Sequence, residues 1–268
     1  MTEAEGSTFV GRAPVTAFDL ERSRVLLSDR GIDPDRLLGQ DAFGNAVTAA
    51  GLHGLLGRVA ASEKAGQDPI YALARLALVS GLPDEVGETL FLAYNQQSAE
   101  EAGHGDKVFG NAYFALGGAA PELAWSVVGN PGTEFLRPQD DVHLNRELLR
   151  TTAAAVGGVE VVALQRAFPA LLSLCAGWSH PVARDLVHQI NDVVRPEEAR
   201  HVLIWRYLFH TIVVPEGEAA INAYFEHTNR GRGAVAAEQL DRDAFVRLVG
   251  NRAPEPSQLV GKERALIS

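Results

Sequence analysis

The sequence predicts an all-α protein. Long Ala/Leu/Val-rich segments run without strand alternation, and Gly followed closely by Pro interrupts them at Gly81-Leu82-Pro83 and again between Gly177 and Pro181. A chain of 268 residues is long enough to bury one large core.

Residues 1–44 read as a leader with one short helix over about Phe18–Ser28, ended by Gly31 and Pro34. The apolar pattern then predicts a helix from about Ala46 to Val79, with a kink or break at Asp68-Pro69. A second follows from Asp84 to about Leu116. Residues 117–143 are rich in Gly and Pro and read as a long connection. A third helix is predicted over Leu144–Ala176 and a fourth over Pro181–Val213, with irregularities at Pro169 and Pro196. Beyond Pro215, Glu216–His227 and Ala234–Val249 read as accessory helices before a tail. The expected division is a leader (1–44), a helical core (45–215) and an accessory C-terminal region (216–268).

Composition narrows the function. A net charge of −10, a pI near 5.3 and the lack of a basic cluster argue against a nucleic-acid surface. Cys175 is the single cysteine, so no disulfide framework is possible; with an acidic opening, Met1-Thr2-Glu3-Ala4-Glu5, unlike a signal peptide, a cytoplasmic setting is expected. No uninterrupted run of about 18 apolar residues occurs, which predicts no membrane span.

Two Glu-x-x-His motifs carry the chemistry: Glu101/His104 and Glu198/His201. Each has a lone glutamate 38 positions before its own Glu, at Glu63 and Glu160, and the two sets are offset by 97 residues. Residues three apart share a helix face, so each motif offers oxygen and nitrogen to one metal. The midpoints of the Glu63–Glu101 and Glu160–Glu198 intervals are Leu82 and Ser179, both inside the Gly/Pro interruptions. In an antiparallel helix hairpin, residues equidistant from the turn lie level, which sets each lone Glu opposite its Glu-x-x-His. One such motif alone is weak evidence, because a solvated helix face produces it; two in matched register point to a metal site.

The strings Glu100-Glu101-Ala102-Gly103-His104-Gly105-Asp106 and Glu197-Glu198-Ala199-Arg200-His201 resemble the metal motifs of acyl-carrier-protein desaturases and related oxygenases. With Glu63 and Glu160, the chain resembles the ferritin-like di-iron carboxylate superfamily over about residues 45–215; the general description of such bundles already includes this ligand pattern. The resemblance implies a four-helix bundle with a long crossover and accessory N- and C-terminal helices. It implies that Glu101 and Glu198 bridge two metals, that Glu63 and Glu160 are terminal ligands, and that His104 and His201 each complete one metal. Four carboxylates and two imidazoles suit two Fe ions, and equally Mn or a mixed Fe/Mn pair. Glu100 and Glu197 match the acids that hold the ligand histidines, which places Glu100 near His201 and Glu197 near His104.

Other residues carry weaker signals. Tyr94 and Trp205 lie near the ligands in helical register and read either as redox or hydrogen-bonding partners or as core packing. Gln97 and Gln165 are further polar candidates. Gly57, Gly66, Gly103, Gly105, Gly157 and Gly158 gather about the ligands, either to make room for dioxygen and substrate or to let helices pack closely. His53, His143, His180, His188, His210 and His227 fall outside the register and suit surface or capping roles.

The implied activity is that of a dioxygen-activating oxidoreductase, a monooxygenase or oxidase of hydroxylase, desaturase or N-oxygenase type. Its substrate would be a small or carrier-bound, partly apolar organic molecule. No nucleotide- or flavin-binding Gly-rich fingerprint is present, so electrons would come from a separate ferredoxin or reductase. Neither nucleic acid nor membrane is an expected partner; a homodimer is compatible with the sequence. Two departures from the family matter. Val194 stands where arylamine N-oxygenases carry an extra histidine, and Ala163 and Leu164 stand where many hydroxylases and desaturases carry a threonine. The alternative is iron storage or peroxide detoxification of the bacterioferritin or rubrerythrin kind, although such chains are typically shorter and this one lacks the Cys pairs of a rubredoxin-type centre.

Overall fold

The computed structural model describes residues 17–40, 45–119, 136–236 and 239–261. The first part of the expected leader, most of the long connection and the last residues of the tail lie outside them.

The described chain is mostly helical. Helix α1 (Ala17–Ser28) is followed by two short strands, β1 (Leu37–Gln40) and β2 (Ala46–Thr48). They pair antiparallel, Gly39 opposite Val47 and Gln40 opposite Ala46. This small sheet is the only strand pairing among the described residues. The expected helix start at Ala46 therefore moves to Ala49, where Thr48 Oγ1 accepts from Gly51 N at 3.1 Å and caps the new helix.

Helix α2 (Ala49–Val79) continues through Pro69, so of the kink or break expected there the break does not occur. Gly81, at φ 62°, makes the turn to α3 (Asp84–Gly103). A π-helical stretch, His104–Gly110, then leads into α4 (Asn111–Ala115). After the connection come α5 (Val142–Val162), a π stretch over Ala163–Ala167, and α6 (Phe168–Ala176). Next are α7 (Pro181–Gln189), a π stretch over Ile190–Val194, and α8 (Arg195–Leu208). Pro169 and Pro196 each sit two residues past the end of a π stretch, at the irregularities the sequence predicts. A widened turn carries the backbone past a residue that has no N–H to give. A further π stretch, Phe209–Val213, precedes α9 (Glu218–Val235) and α10 (Arg242–Val249).

The accessory helices differ from expectation: α9 runs on to Val235 and α10 starts only at Arg242. Gly231 and Gly233 suggest a helix stop, but Gly231 lies against the Ala155 carbonyl of α5, where a Cβ would collide, so packing overrides local propensity. Asp241 caps α10 by accepting from Ala244 N at 2.7 Å.

The chain forms two compact units, Met1–Gly66, Glu101–Pro131 and Ala163–Pro196 in one, and Gln67–Glu100, Gly132–Val162 and Glu197–Ser268 in the other. The core of the first is built from Leu27, Leu52, Leu56, Phe109, Leu116, Phe168, Leu174 and Ile190. Its strand residue Gly39 rests near Leu174 of α6. The core of the second is Leu73, Leu76, Leu90, Leu149, Trp205, Leu208, Phe209, Tyr224 and Phe245. Each fully buried large side chain contributes about 1.5–3 kcal/mol. In the second unit Asn145 ties the start of α5 to the end of α2, donating to Val79 O at 3.3 Å.

One helical run, Val142–Ala176, reaches a mean hydropathy of 1.5 over 18 residues, long and apolar enough by composition to cross a membrane, with 39% of that window buried. A search for uninterrupted apolar runs misses it because Glu160 and the Gln165-Arg166 pair break the run.

Candidate metal centre

In the first unit, Glu63 on α2, Glu101 near the end of α3 and His104 at the start of the π stretch form one donor set. His104 is 1% exposed and Glu101 5%, and the Glu63 side chain is 12% exposed. His104 Nδ1 lies 3.3 Å from Glu63 Oε2. Gly105 lets the chain come this close to α2: a Cβ there would stand 2.7 Å from Ala60 O and 3.1 Å from Lys64 Cβ. At the solvent side, Lys64 Nζ pairs with Asp106 at 2.7 Å, both side chains about half exposed.

In the second unit, Glu160 on α5 joins Glu198 and His201 on α8. Glu198 and His201 are each 1% exposed and Glu160 is 7%. His201 Nδ1 stands 3.6 Å from both Glu160 Oε2 and Glu198 Oε2. Its other ring nitrogen, Nε2, meets Glu100 Oε2 at 2.9 Å, the pairing expected for Glu100. A carboxylate only accepts, so in this pairing Nε2 carries the proton, and Nδ1 is the nitrogen that faces Glu160 and Glu198. Glu100 also receives hydrogen bonds from Arg200 and from Gln96, the latter at 2.7 Å. Burial alone would raise its pKa; the hydrogen bond and charge of His201, with Arg200 and Gln96, outweigh that and hold it below the usual carboxylate value. Sequence reasoning missed Arg200 and Gln96, although Arg200 stands inside the second motif.

Gln97 Nε2 donates to Glu160 Oε1 at 3.0 Å, whereas Gln165 is exposed. Tyr94 is buried, and burial together with the Glu160 charge raises its pKa and keeps the phenol protonated. The Trp205 ring covers Gly157, where any Cβ would collide with it, so that glycine serves close packing. Glu197 lies 3.9 Å from Arg200. Of the remaining histidines, His180 caps α7 through Val182 N, while His53 is a core residue, 2% exposed, bonded to Ser23 Oγ at 2.7 Å and stacked on Tyr113. Cys175 is buried and its thiol is pushed up to about 12, so it is inert.

In the first unit the ligand atoms of Glu63, Glu101 and His104 lie within 4.8 Å of one another, and in the second those of Glu160, Glu198 and His201 do so. These buried Glu/His groups can hold a metal ion, and the donor set of carboxylates and imidazoles fits iron or manganese. No protein-family model matches the chain, and comparisons with curated proteins and with solved structures return no significant match.

Proposed function

We propose that the chain is a dioxygen-activating oxidoreductase with a pair of iron ions held by Glu63, Glu101, His104, Glu160, Glu198 and His201. We propose further that residues 45–215 adopt the ferritin-like four-helix arrangement. The observation that carries this reading is the pair of largely buried Glu/His donor groups, Glu63, Glu101 and His104 in one unit and Glu160, Glu198 and His201 in the other, each with its ligand atoms close together. Four carboxylates carry four negative charges, which two divalent cations balance; buried without cations they would repel one another.

Bound iron would supply the redox couple and Lewis acidity that dioxygen reduction requires. The protein's own part is positional. Glu100 fixes the His201 tautomer, Gln97 orients Glu160, and Tyr94 and the surrounding apolar side chains exclude water. For hydroxylation, one dioxygen, two electrons and two protons convert a substrate C–H to C–OH and one water, the electrons coming from a separate ferredoxin or reductase. The substrate is a small or carrier-bound, partly apolar molecule, and the setting is the cytoplasm.

The test is anaerobic reconstitution with ferrous iron followed by exposure to oxygen. The reading expects about two irons per chain and oxygen consumption that accelerates with an apolar substrate. Uptake of many irons per chain, without substrate dependence, would instead establish storage.

A further inference from the structure

Within the second unit, Glu100 is held at both of its oxygens. Oε2 meets Nε2 of His201, while Oε1 accepts from Arg200 and from Gln96 Nε2, so the carboxylate turns away from the ring only by giving up those two donors as well. Gln96 is in turn fixed from the far end of the chain: Gly261 N donates to Gln96 Oε1 at 2.8 Å, across 165 positions of sequence. A backbone N–H needs an acceptor and a carboxylate needs a donor, and the planar amide of Gln96 supplies one at each end, which leaves it a single orientation. The segment that delivers Gly261 is itself anchored. Pro256–Gln258 forms a 3-10 turn closed by a capping box between Glu255 and Gln258, Leu259 is 1% exposed in the core of the unit, and Val260 packs against the same core. A Cβ on Gly261 would stand 2.6 Å from Gln96 Nε2, so glycine is what permits the approach.

Resting on the metal reading above, we propose that the C-terminal segment Leu259–Gly261 positions the His201 ligand, with Gln96 as the positioning residue that connects the two. The Gly261 N–H sets the Gln96 amide, the amide helps to set Glu100, and Glu100 holds the His201 ring with Nδ1 turned toward Glu160 and Glu198, 3.6 Å from each. Neither Gln96 nor Gly261 is among the proposed ligands; both act through Glu100. A ring already held at one nitrogen gives up less freedom when the other is ligated, and outer partners of a ligand histidine are worth about 10–100-fold in metal affinity. Gln96 stands one hydrogen bond further out, so its share belongs at the lower end of that range.

The experiment compares the wild type with Gln96→Leu, with a chain ending at Val260, with both changes combined, and with a chain ending at Gly261, which keeps the donating N–H and controls for the shortened tail. In the metal-free proteins, imidazole 1H–15N spectra follow the His201 Nε2–H signal, assigned by its loss in His201→Ala, and chemical denaturation reads stability. Anaerobic titration with Co(II), followed by calorimetry and visible absorption, reads affinity. Gln96→Leu and the Val260 end should each shift the His201 signal and weaken Co(II) binding by about 10-fold, and the combination should be no weaker than either alone, because both changes break one connection. The chain ending at Gly261 should match the wild type. An unmoved His201 signal in Gln96→Leu, or losses that multiply in the combined variant, would overturn the proposal. So would lowered stability with unchanged Co(II) affinity, the result of a contact that only supports the fold. If the chain ending at Val260 does not fold, Gln96→Leu decides alone. A wild type that binds no Co(II) would remove the metal reading, and the His201 signal would still decide the positioning.

Discussion

Glu101 and Glu198 are almost wholly buried, and the proposed centre makes each a bridging ligand. On the proposed reading, substituting either by Ala removes an oxygen donor from both metal positions, so Glu101→Ala and Glu198→Ala should each bind fewer than two metals per chain, read by metal analysis after reconstitution. Retention of two would refute the bridging role. His53 yields a separate prediction. Burial, then the charges of Arg30 and Arg22, lower its pKa from 6.5 to about 4. The folded state therefore holds this histidine neutral while the unfolded chain takes up a proton below about pH 6.5. Its contribution to stability is complete above that pH and is lost as the pH falls toward 4, up to about 3 kcal/mol. Denaturant unfolding of His53→Gln across this window should show a flatter pH dependence than wild type, and an equally steep one would contradict the assignment. Sequence register gave no sign of this buried role, because the Ser23–His53 contact joins residues 30 apart on different helices.

At the scale of elements, the two glycines flanking His104 separate packing from propensity. A Cβ at Gly105 meets Ala60 O and Lys64, whereas one at Gly103 meets nothing within 4 Å. Gly105→Ala should destabilise the protein by about 1–3 kcal/mol, and Gly103→Ala should be neutral or stabilising by up to about 1 kcal/mol, both measured by chemical denaturation. Equal effects would remove the argument that Gly105 sets the approach of the π stretch to α2. The main helices were legible because apolar patterning and the Gly81 and Pro181 stops are local signals. The π stretches were not, since a widened turn leaves no periodicity of its own. The hairpin was missed because strands of four and three residues are too short for alternation to register. The end of α9 falls beyond the expected His227 because Gly231, a poor helix former by propensity, is held in the helix by its close approach to α5.

For the molecule as a whole, the proposed centre would couple metal binding to folding. A ligand that binds only the folded chain stabilises it by about 2.7 kcal/mol per site at 100 times its dissociation constant. Thermal melts with ferrous iron or manganese should therefore rise by several degrees and return to the metal-free value with chelator; an unmoved Tm would argue that the buried Glu/His groups hold no ion. The candidate ligands were readable from sequence because helix geometry converts spacing into position, three residues to a shared face and a symmetric interval to a level pair. Arg200 and Gln96 around Glu100, and the Lys64–Asp106 pair, were not, because long flexible side chains reach partners that spacing does not specify. The most direct measurement is the metal content of the folded protein, reconstituted anaerobically with excess ferrous iron, freed of unbound ion and analysed by plasma mass spectrometry. The account predicts about two irons per chain in the wild type and fewer in the Glu101→Ala and Glu198→Ala variants. A folded wild-type protein that retains no iron and no manganese would contradict it.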